Sequence, residues 1–196
     1  GAGKTTLFSA LLDLIKPTTG EVLNNGINVR TSEDWKSFTS AFLDESFLIS
    51  YLMPEEYFYF VGELRNFSKK QVDEFLKQFE DLFNGEILGG KKFIRDLSKG
   101  NQKKVGIVAA LIGDPEVIIL DEPFANLDPT TQIRLKKIIK NLSQKVGVTV
   151  LVSSHDLQDV TEVSDRIVLL EKGLIIKDIK KTTKTLKDLE SYFTKE

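Results

Sequence analysis

The feature that most constrains the fold is the first six residues, GAGKTT, which run directly into a helical pattern. The apolar residues that follow fall on one helix face, at Leu7, Phe8, Leu11, Leu12 and Ile15, and Pro17 with Gly20 is expected to end the helix. A glycine loop that opens a helix places backbone N–H groups and the positive helix end together, which suits a bound phosphate. The pattern therefore predicts a phosphate-binding loop over residues 1–6.

Each residue of this loop has an expected role. Gly1 and Gly3 allow the backbone to approach phosphate oxygens, and Thr6 lies in the same N-terminal turn. Lys4 is expected to reach the β- and γ-phosphates of a nucleotide, and the Thr5 hydroxyl is expected to ligate Mg²⁺. The alternative is a glycine-rich turn that opens a helix and binds nothing.

Composition restricts the class of protein further. The chain has 196 residues, enough for one domain with a sizeable core or one core that carries a small subdomain. Its formal net charge of −2 lacks the basic excess typical of proteins that bind nucleic acid through phosphate contacts, so no nucleic-acid partner is expected. The absence of Cys and the single His exclude disulfides and metal sites built from thiolates or several histidines. The apolar runs are shorter than the roughly 20 residues that span a bilayer.

Short β-branched apolar runs predict the strands of an α/β fold. They occur at residues 117–120, 149–153 and 167–170, and each is apolar almost throughout, as in parallel strands that helices cover on both faces. A helix between the first two runs begins at Asp128, an N-cap followed by Pro129. Asn25 and Gly26 predict a tight hairpin within residues 20–30. We therefore expect a mainly parallel sheet with one small antiparallel edge.

A Phe-rich segment precedes most of these strands. Nine of the thirteen Phe residues lie between Phe38 and Phe83. Ser68 and Gln71 form the pattern of a capping box, which predicts a helix whose apolar face contains Val72, Phe75, Leu76, Phe79 and Phe83. The segment is therefore expected to form a helical subdomain inserted into the α/β fold.

Two adjacent acidic residues follow the strand at 117–120, within the sequence VIILDEP. Ligands of open α/β sheets collect at the carboxyl ends of the strands, where these two residues lie. Asp121 is expected to hold the Mg²⁺ shell, and Glu122 to polarise an attacking water. A solvated strand end is the alternative, but Pro123 and the ANLDP turn hold both acids at a fixed exit from the sheet.

With the two motifs above, three further motifs resemble the ATP-binding subunit of ABC transporters over about residues 1–180. LSKGNQKKV at 97–105 resembles the family signature, ANLDP at 125–129 its D-loop, and VSSHDL at 152–157 its switch-histidine loop. The resemblance implies an α/β P-loop NTPase core at 1–44 and 113–180, a helical signature subdomain at 45–112, and a C-terminal helix or tail at 181–196.

The resemblance also implies the activity and its partners. ATP is bound with Mg²⁺ and hydrolysed, which drives a separate integral membrane permease from the cytoplasmic face of the cell membrane. Two ATPase subunits, identical or different, sandwich two ATP molecules, each between one phosphate loop and the other subunit's signature. On this basis Ser98, Gly100 and Asp128 are expected to contribute to nucleotide binding, and His155 to act beside Glu122 at the γ-phosphate.

Several positions depart from the family pattern. Lys99 stands where the family usually has Gly, and this LSKG spelling favours a bacterial exporter, while Asn101 replaces the usual Gln. Asp44 and Glu45 lie where a Gln is expected, and Asp44 is the candidate metal contact at that place. The chain begins inside its phosphate loop, so the resemblance implies an N-terminal truncation that removes the adenine-stacking aromatic residue.

Two other functions fit parts of the pattern. A soluble ABC-type ATPase in translation or DNA metabolism would share the nucleotide site, although no heptad repeat separates Lys4 from Ser98 as in chromosome-type members. A nucleotide-binding regulator with little turnover would fit the altered signature, but the retained Lys4, Glu122 and His155 argue against it. The candidates for the permease-facing surface are Tyr51, Leu52, Pro54, Tyr57 and Phe58, with ordinary core packing as the alternative.

Overall fold

The computed structural model describes residues 1–193, with the side chains of residues 188 and 193 outside that description. Helices α1–α8 occupy Lys4–Leu11, Pro54–Leu64, Lys69–Lys77, Glu80–Phe83, Lys99–Leu111, Pro129–Ser143, Leu157–Val163 and Thr185–Phe193. Strands β1–β7 occupy Leu23–Asn24, Ile27–Asn28, Thr39–Phe42, Val117–Leu120, Thr149–Val152, Arg166–Glu171 and Leu174–Lys180. Single 3₁₀ turns lie at Asp34–Ser37, Glu45–Phe47 and Ile94–Asp96. No helix in the described part of the chain is long and apolar enough to cross a membrane.

A parallel sheet of three strands, in the order β3-β4-β5, carries the site. Phe42 pairs with Leu120, and Leu120 pairs with Val152, so the carboxyl ends of all three strands meet at one edge. The central strand β4 is the most buried, as its continuous apolar run predicts. The predicted α/β class with a parallel sheet is therefore confirmed.

The prediction for residues 167–170 is wrong in its pairing. This run lies in β6, which pairs antiparallel with β7 in a separate sheet of two strands. Lys172 and Gly173 both adopt positive φ angles, of 47° and 81°, which is the backbone of a tight hairpin turn. An apolar run indicates a strand but not its partner, and here the turn returns the chain directly alongside β6.

The N-terminal predictions hold with one change of length. Helix α1 opens at Gly3 as expected but ends at Leu11, well before Pro17. Asp13 follows with a φ of 53°, so a left-handed residue redirects the chain before the proline is reached. The predicted hairpin at Asn25 and Gly26 is confirmed as the antiparallel pair β1–β2.

The helical region lies between β3 and β4, as an insertion into the sheet topology. Helix α3 begins after Ser68 with the predicted capping box, and Phe58 of α2 packs its ring 5.8 Å from that of Phe83. The same hydrophobic cluster continues through α5 to Phe42 and Leu120 of the sheet. The division into a core and a subdomain at residues 45 and 112 stays a prediction, since one apolar cluster joins both parts.

The predicted C-terminal helix is present as α8, which contacts α7. Leu189 is buried, so the helix packs against the fold along that face. The side chain of Phe193 and residues 194–196 of the predicted tail lie outside the described part of the chain.

Candidate active site

The phosphate loop adopts the backbone that its glycines predict. Gly3 has a φ of 101°, a left-handed conformation that glycine adopts readily, and it is the N-cap of α1. No side chain caps this helix start, so the first backbone N–H groups of α1 remain available to a ligand. The loop is anchored from the β6–β7 turn, because the N–H of Gly173 donates to the carbonyl of Ala2 at 2.9 Å.

Thr5 and Asp121 meet at the edge where β4 ends. The Thr5 hydroxyl donates to one carboxylate oxygen of Asp121 at 2.5 Å, and the hydroxyl of Ser153 donates to the other. Asp121 and Ser153 are buried, whereas Thr5 lies at the exposed rim of the site. The two predicted metal contacts, 116 positions apart in sequence, are therefore adjacent in space.

The Glu122 carboxylate lies between the ammonium of Lys4 and the imidazole of His155. The carboxylate contacts the ammonium of Lys4 at 3.2 Å through one oxygen and Nδ1 of His155 at 2.8 Å through the other. Partial burial of Glu122 opposes its ionisation, but hydrogen bonds from His155 and Lys4 outweigh that effect, and the pKa of the carboxyl is lowered. Glu122 is therefore a carboxylate at neutral pH, as a base that accepts a proton from water requires.

The backbone at Glu122 turns sharply out of the sheet. Its φ is 46°, which is uncommon for a residue other than glycine, and its N–H donates to the Ser153 hydroxyl at 3.0 Å. Pro123 follows directly, so the chain cannot continue β4 as a hydrogen-bonded strand. The turn aims the Glu122 side chain back towards the start of α1.

The signature residues form a separate helix start. Ser98 is the N-cap of α5, and its hydroxyl accepts from the N–H of Asn101 at 3.2 Å. A Cβ on Gly100 would lie 3.4 Å from the carbonyl oxygen of Asn126, so the helix start packs closely against the segment after Glu122. Within residues 1–193, no hydrogen bond or ion pair joins Ser98 or Gly100 to the phosphate loop. The structure thus does not bring these two predicted nucleotide contacts to the Lys4 site of the same chain.

Asp128 and Asp44 both act as helix caps. Asp128 accepts from the N–H and hydroxyl of Thr131 at the start of α6, and these bonds lower the pKa of its carboxyl. Asp44 accepts from the N–H of Ser46 at 2.6 Å in an exposed 3₁₀ turn. Neither carboxylate touches Thr5 or Asp121, so their predicted roles at a nucleotide or metal have no support from contacts in this chain.

The oxygen ligands present suit Mg²⁺, which prefers carboxylates, hydroxyls, water and phosphate oxygens. The Thr5 hydroxyl and the Asp121 carboxylate form a ready pair of such ligands, held from behind by Ser153. In the described part of the chain, no three acidic or histidine side chains gather into a metal site. The donor set therefore fits a metal that takes its remaining ligands from phosphate and water.

Two residues of the site are not predicted from the sequence, although Ser153 lies within the VSSHDL motif and Lys103 within the LSKGNQKKV motif. Ser153 follows β5 and pairs with Asp121 because the strands are parallel and in register, which the sequence pattern of neighbouring strand ends could have indicated. Lys103 lies on α5 with its ammonium against the backbone of the Glu122 turn. A lysine in a basic run reads as a solvated residue, and no sequence signal distinguishes this one.

The fold and this site are those of a phosphate-loop NTPase core, and comparison with known proteins gives its family. A profile described as ABC transporter matches residues 1–125. The chain belongs to the ABC transporter family.

Curated relatives give the same assignment. The chain is 34% identical, over 88% of its length and 63% of the relative's, to an uncharacterized ABC transporter ATP-binding protein of Alkalihalophilus pseudofirmus. It is 33% identical, over 90% of its length and 64% of the relative's, to the energy-coupling factor transporter ATP-binding protein EcfA2 of Staphylococcus epidermidis. The chain thus spans less than two thirds of the length of these relatives.

Solved structures of ATP-binding cassettes share the fold. One, the ATP-binding subunit of an ABC transporter, matches with a TM-score of 0.82 and 26% identity, over 98% of this chain and 78% of that one. Another is a dimeric post-hydrolysis state bound to ADP and Pi, with a TM-score of 0.76 and 26% identity, over 91% of this chain and 81% of that one.

Proposed function

We propose that this chain binds and hydrolyses ATP as the ATP-binding subunit that powers an ABC transporter. The observation that carries the proposal is the placement of Glu122, an ionised carboxylate that contacts both Lys4 and His155 at the start of the phosphate loop. Family membership supports the same activity.

The nucleotide phosphates bind at the start of α1 in this proposal. Backbone N–H groups of residues 1–6, including those of Gly1, Gly3 and Thr6, face the phosphate oxygens, and the ammonium of Lys4 contacts the β- and γ-phosphates. The γ-phosphate competes with Glu122 for Lys4, because the Lys4 ammonium lies 3.2 Å from the Glu122 carboxylate in this structure.

Hydrolysis needs a water aligned on the γ-phosphorus. Glu122 accepts a proton from that water as the water oxygen bonds to the γ-phosphorus. The bond from the γ-phosphorus to the β–γ bridging oxygen breaks, leaving ADP and phosphate. His155 holds the second oxygen of Glu122 and orients the carboxylate. Thr5 and Asp121 would hold Mg²⁺, which supplies positive charge that stabilises the phosphate oxygens.

The active unit in this proposal is a dimer of ATPase subunits, either two copies or two related chains. Ser98 caps α5 and Gly100 lies in its first turn, where backbone N–H groups have no intrahelical acceptor. Within residues 1–193 neither makes a polar contact with the phosphate loop, which suits them to a nucleotide held by the partner. Asp128 lies on the same side of the molecule, in the segment that packs near Gly100, and is placed at this interface by the proposal. The dimeric ATP-binding cassette with ADP and Pi supports this arrangement.

An integral membrane permease, bound at the cytoplasmic face of the membrane, is the proposed partner that uses the energy. EcfA2 and the methionine import protein MetN of Carboxydothermus hydrogenoformans, which is 27% identical over 91% of this chain and 54% of its own, are both transport proteins by name. Of the predicted permease-facing aromatics, Tyr51 is 70% exposed, while Phe58 is buried in the core. Export as the direction stays a prediction from the LSKG spelling.

Glu122→Gln tests the catalytic assignment in the full-length protein. Because the amide cannot accept the proton but keeps the shape, kcat is expected to fall by roughly 10²- to 10⁴-fold while ATP binding persists. Light scattering should then show a dimer that forms only with ATP and Mg²⁺. Light scattering of the chain alone and mixed with a second ATPase chain distinguishes a homodimer from a heterodimer.

Glu116→Gln is the matched control, since Glu116 is an exposed carboxylate at the opposite end of β4. Its kcat should equal that of the wild type. A Glu122→Gln protein that retains more than a tenth of the wild-type kcat would assign the base to another residue. Failure of the full-length protein to copurify with any integral membrane protein would argue against the transport role.

A further inference from the structure

Lys103 is a buried lysine whose ammonium faces the catalytic turn. It lies on α5, is 6% exposed, and donates to the carbonyl oxygens of Glu122 at 2.9 Å and of Ala125 at 3.0 Å. The nearest carboxylate, that of Glu45, is 3.9 Å away, so its closest partners are backbone oxygens rather than a counter-ion. Burial of the ammonium costs free energy, and the hydrogen bonds to these two carbonyl oxygens offset part of that cost.

The two carbonyls belong to the turn that carries Glu122 out of the sheet. Glu122 has a φ of 46°, a left-handed conformation that a residue with a side chain adopts only at a cost. The Ser153 hydroxyl accepts from the N–H of Glu122, and Lys103 donates to its carbonyl. The residue is thus held on both sides of its Cα. With the N–H of Ala125, which donates to the same carbonyl at 3.3 Å, these contacts restrict the direction in which the carboxylate projects.

We infer that Lys103 is a positioning residue for ATP hydrolysis, which holds the Glu122–Ala125 turn so that the Glu122 carboxylate faces Lys4 and His155. The inference rests on the proposed role of Glu122 as the base. Lys103 itself touches neither Lys4 nor His155, and its action passes through the peptide backbone. A second clamp on the same segment is Gln132 of α6, which donates to the carbonyls of Phe124 and Leu127.

The neighbouring lysine shows that burial alone does not define this role. Lys104 is equally buried, at 5% exposed, but its ammonium lies 3.7 Å from Glu86 and makes no hydrogen bond to the turn. Two adjacent residues of one helix therefore present buried ammonium groups to different surroundings. Only that of Lys103 bonds to the backbone that carries the base.

Lys103→Met in the full-length protein is the direct test, since it keeps the length of the side chain and removes the donors. We expect kcat for ATP to fall about 10- to 100-fold with KM within threefold, because a misplacement of about 1 Å costs on the order of 10²-fold. Lys103→Gln has a shorter side chain that reaches one carbonyl, so its kcat should fall about three- to tenfold. Lys137→Met, at an exposed lysine of α6 outside the proposed site, is the control, with kcat within threefold of the wild type.

The outcomes separate positioning from stability and from the proposed function. All assays run at least 15 °C below the melting temperature of each variant, so a loss of folded protein does not lower kcat. A Lys103→Met protein with wild-type kcat, or with kcat reduced no more than in Lys137→Met, overturns the inference. If Lys103→Met does not fold, full kcat in Lys103→Gln overturns it instead. A wild-type protein that does not hydrolyse ATP would refute the proposed function, which is a separate result.

Discussion

Ser153→Ala removes one hydroxyl that serves both acids of the site. The hydroxyl accepts from the N–H of Glu122 at 3.0 Å and donates to the buried carboxylate of Asp121. A neutral hydrogen bond contributes about 1 kcal/mol and one to a charged group about 1.5–3 kcal/mol. Glu122 retains 29% side-chain exposure, so water replaces part of the lost bonding, and we expect a loss of about 2 kcal/mol in the free energy of unfolding.

The assay is thermal unfolding of the full-length protein without nucleotide. For a chain of this size each kcal/mol shifts the melting temperature by roughly 2–4 °C, so Ser153→Ala should melt about 4–8 °C below the wild type. Ser154→Ala is the matched control, because Ser154 makes one local bond, to the N–H of Asp156 at 3.0 Å, and should shift melting by less than half as much. Equal shifts in the two variants would refute the argument that Ser153 supports the buried carboxylate.

Two further predictions concern packing and pH. Gly106→Ala should lower the free energy of unfolding by about 2–3 kcal/mol in urea titrations, because the new Cβ would lie 2.1 Å from the buried ring of Phe42. Gly90 lies in open space, so Gly90→Ala should change the free energy of unfolding by less than about 0.5 kcal/mol. Equal effects of the two substitutions would contradict this prediction. The lowered pKa of Glu122 means that the stability from its contacts is present above the ordinary carboxyl pKa and lost as the pH falls through the lowered value. The difference in melting temperature between the wild type and Glu122→Gln should therefore shrink below about pH 4, and a difference that stays constant from pH 7 to about pH 3 would disprove the assignment.

The sequence alone predicts the parts of the site that local spacing determines. The glycine loop before α1 and the acids after β4 are each read within a few residues, and parallel strands then bring Thr5 and Asp121 to one edge. The helix starts at Ser68 and Asp128 follow from their caps. These features depend on backbone geometry close to the residues that encode them.

Long-range pairings could not be predicted in the same way. The run at 167–170 has the composition of a buried parallel strand, yet the turn at Lys172 and Gly173 pairs it with the next strand. The role of Lys103 depends on backbone carbonyl oxygens 19 and 22 positions away. Because every residue has a backbone carbonyl, the residue types in the sequence do not indicate which carbonyls a lysine contacts. Asp44 is predicted to contact a metal, but in this structure its carboxylate accepts a local hydrogen bond from the N–H of Ser46.

In the proposed function, the contacts of the site imply that nucleotide binding and activation of the base occur together, because Lys4 leaves Glu122 to contact the phosphate. Without nucleotide, Glu122 forms an ion pair with Lys4, and the Thr5 hydroxyl donates a hydrogen bond to Asp121, so these polar groups are satisfied within the site. A triphosphate offers Lys4 a denser negative charge than one carboxylate, and the ion pair with Glu122 is then given up. Glu122 retains His155 on its other oxygen, while Ser153 and Lys103 hold its backbone, so the freed carboxylate keeps its direction as the phosphate arrives. A base held by a single partner would instead turn away when that partner moved to the phosphate.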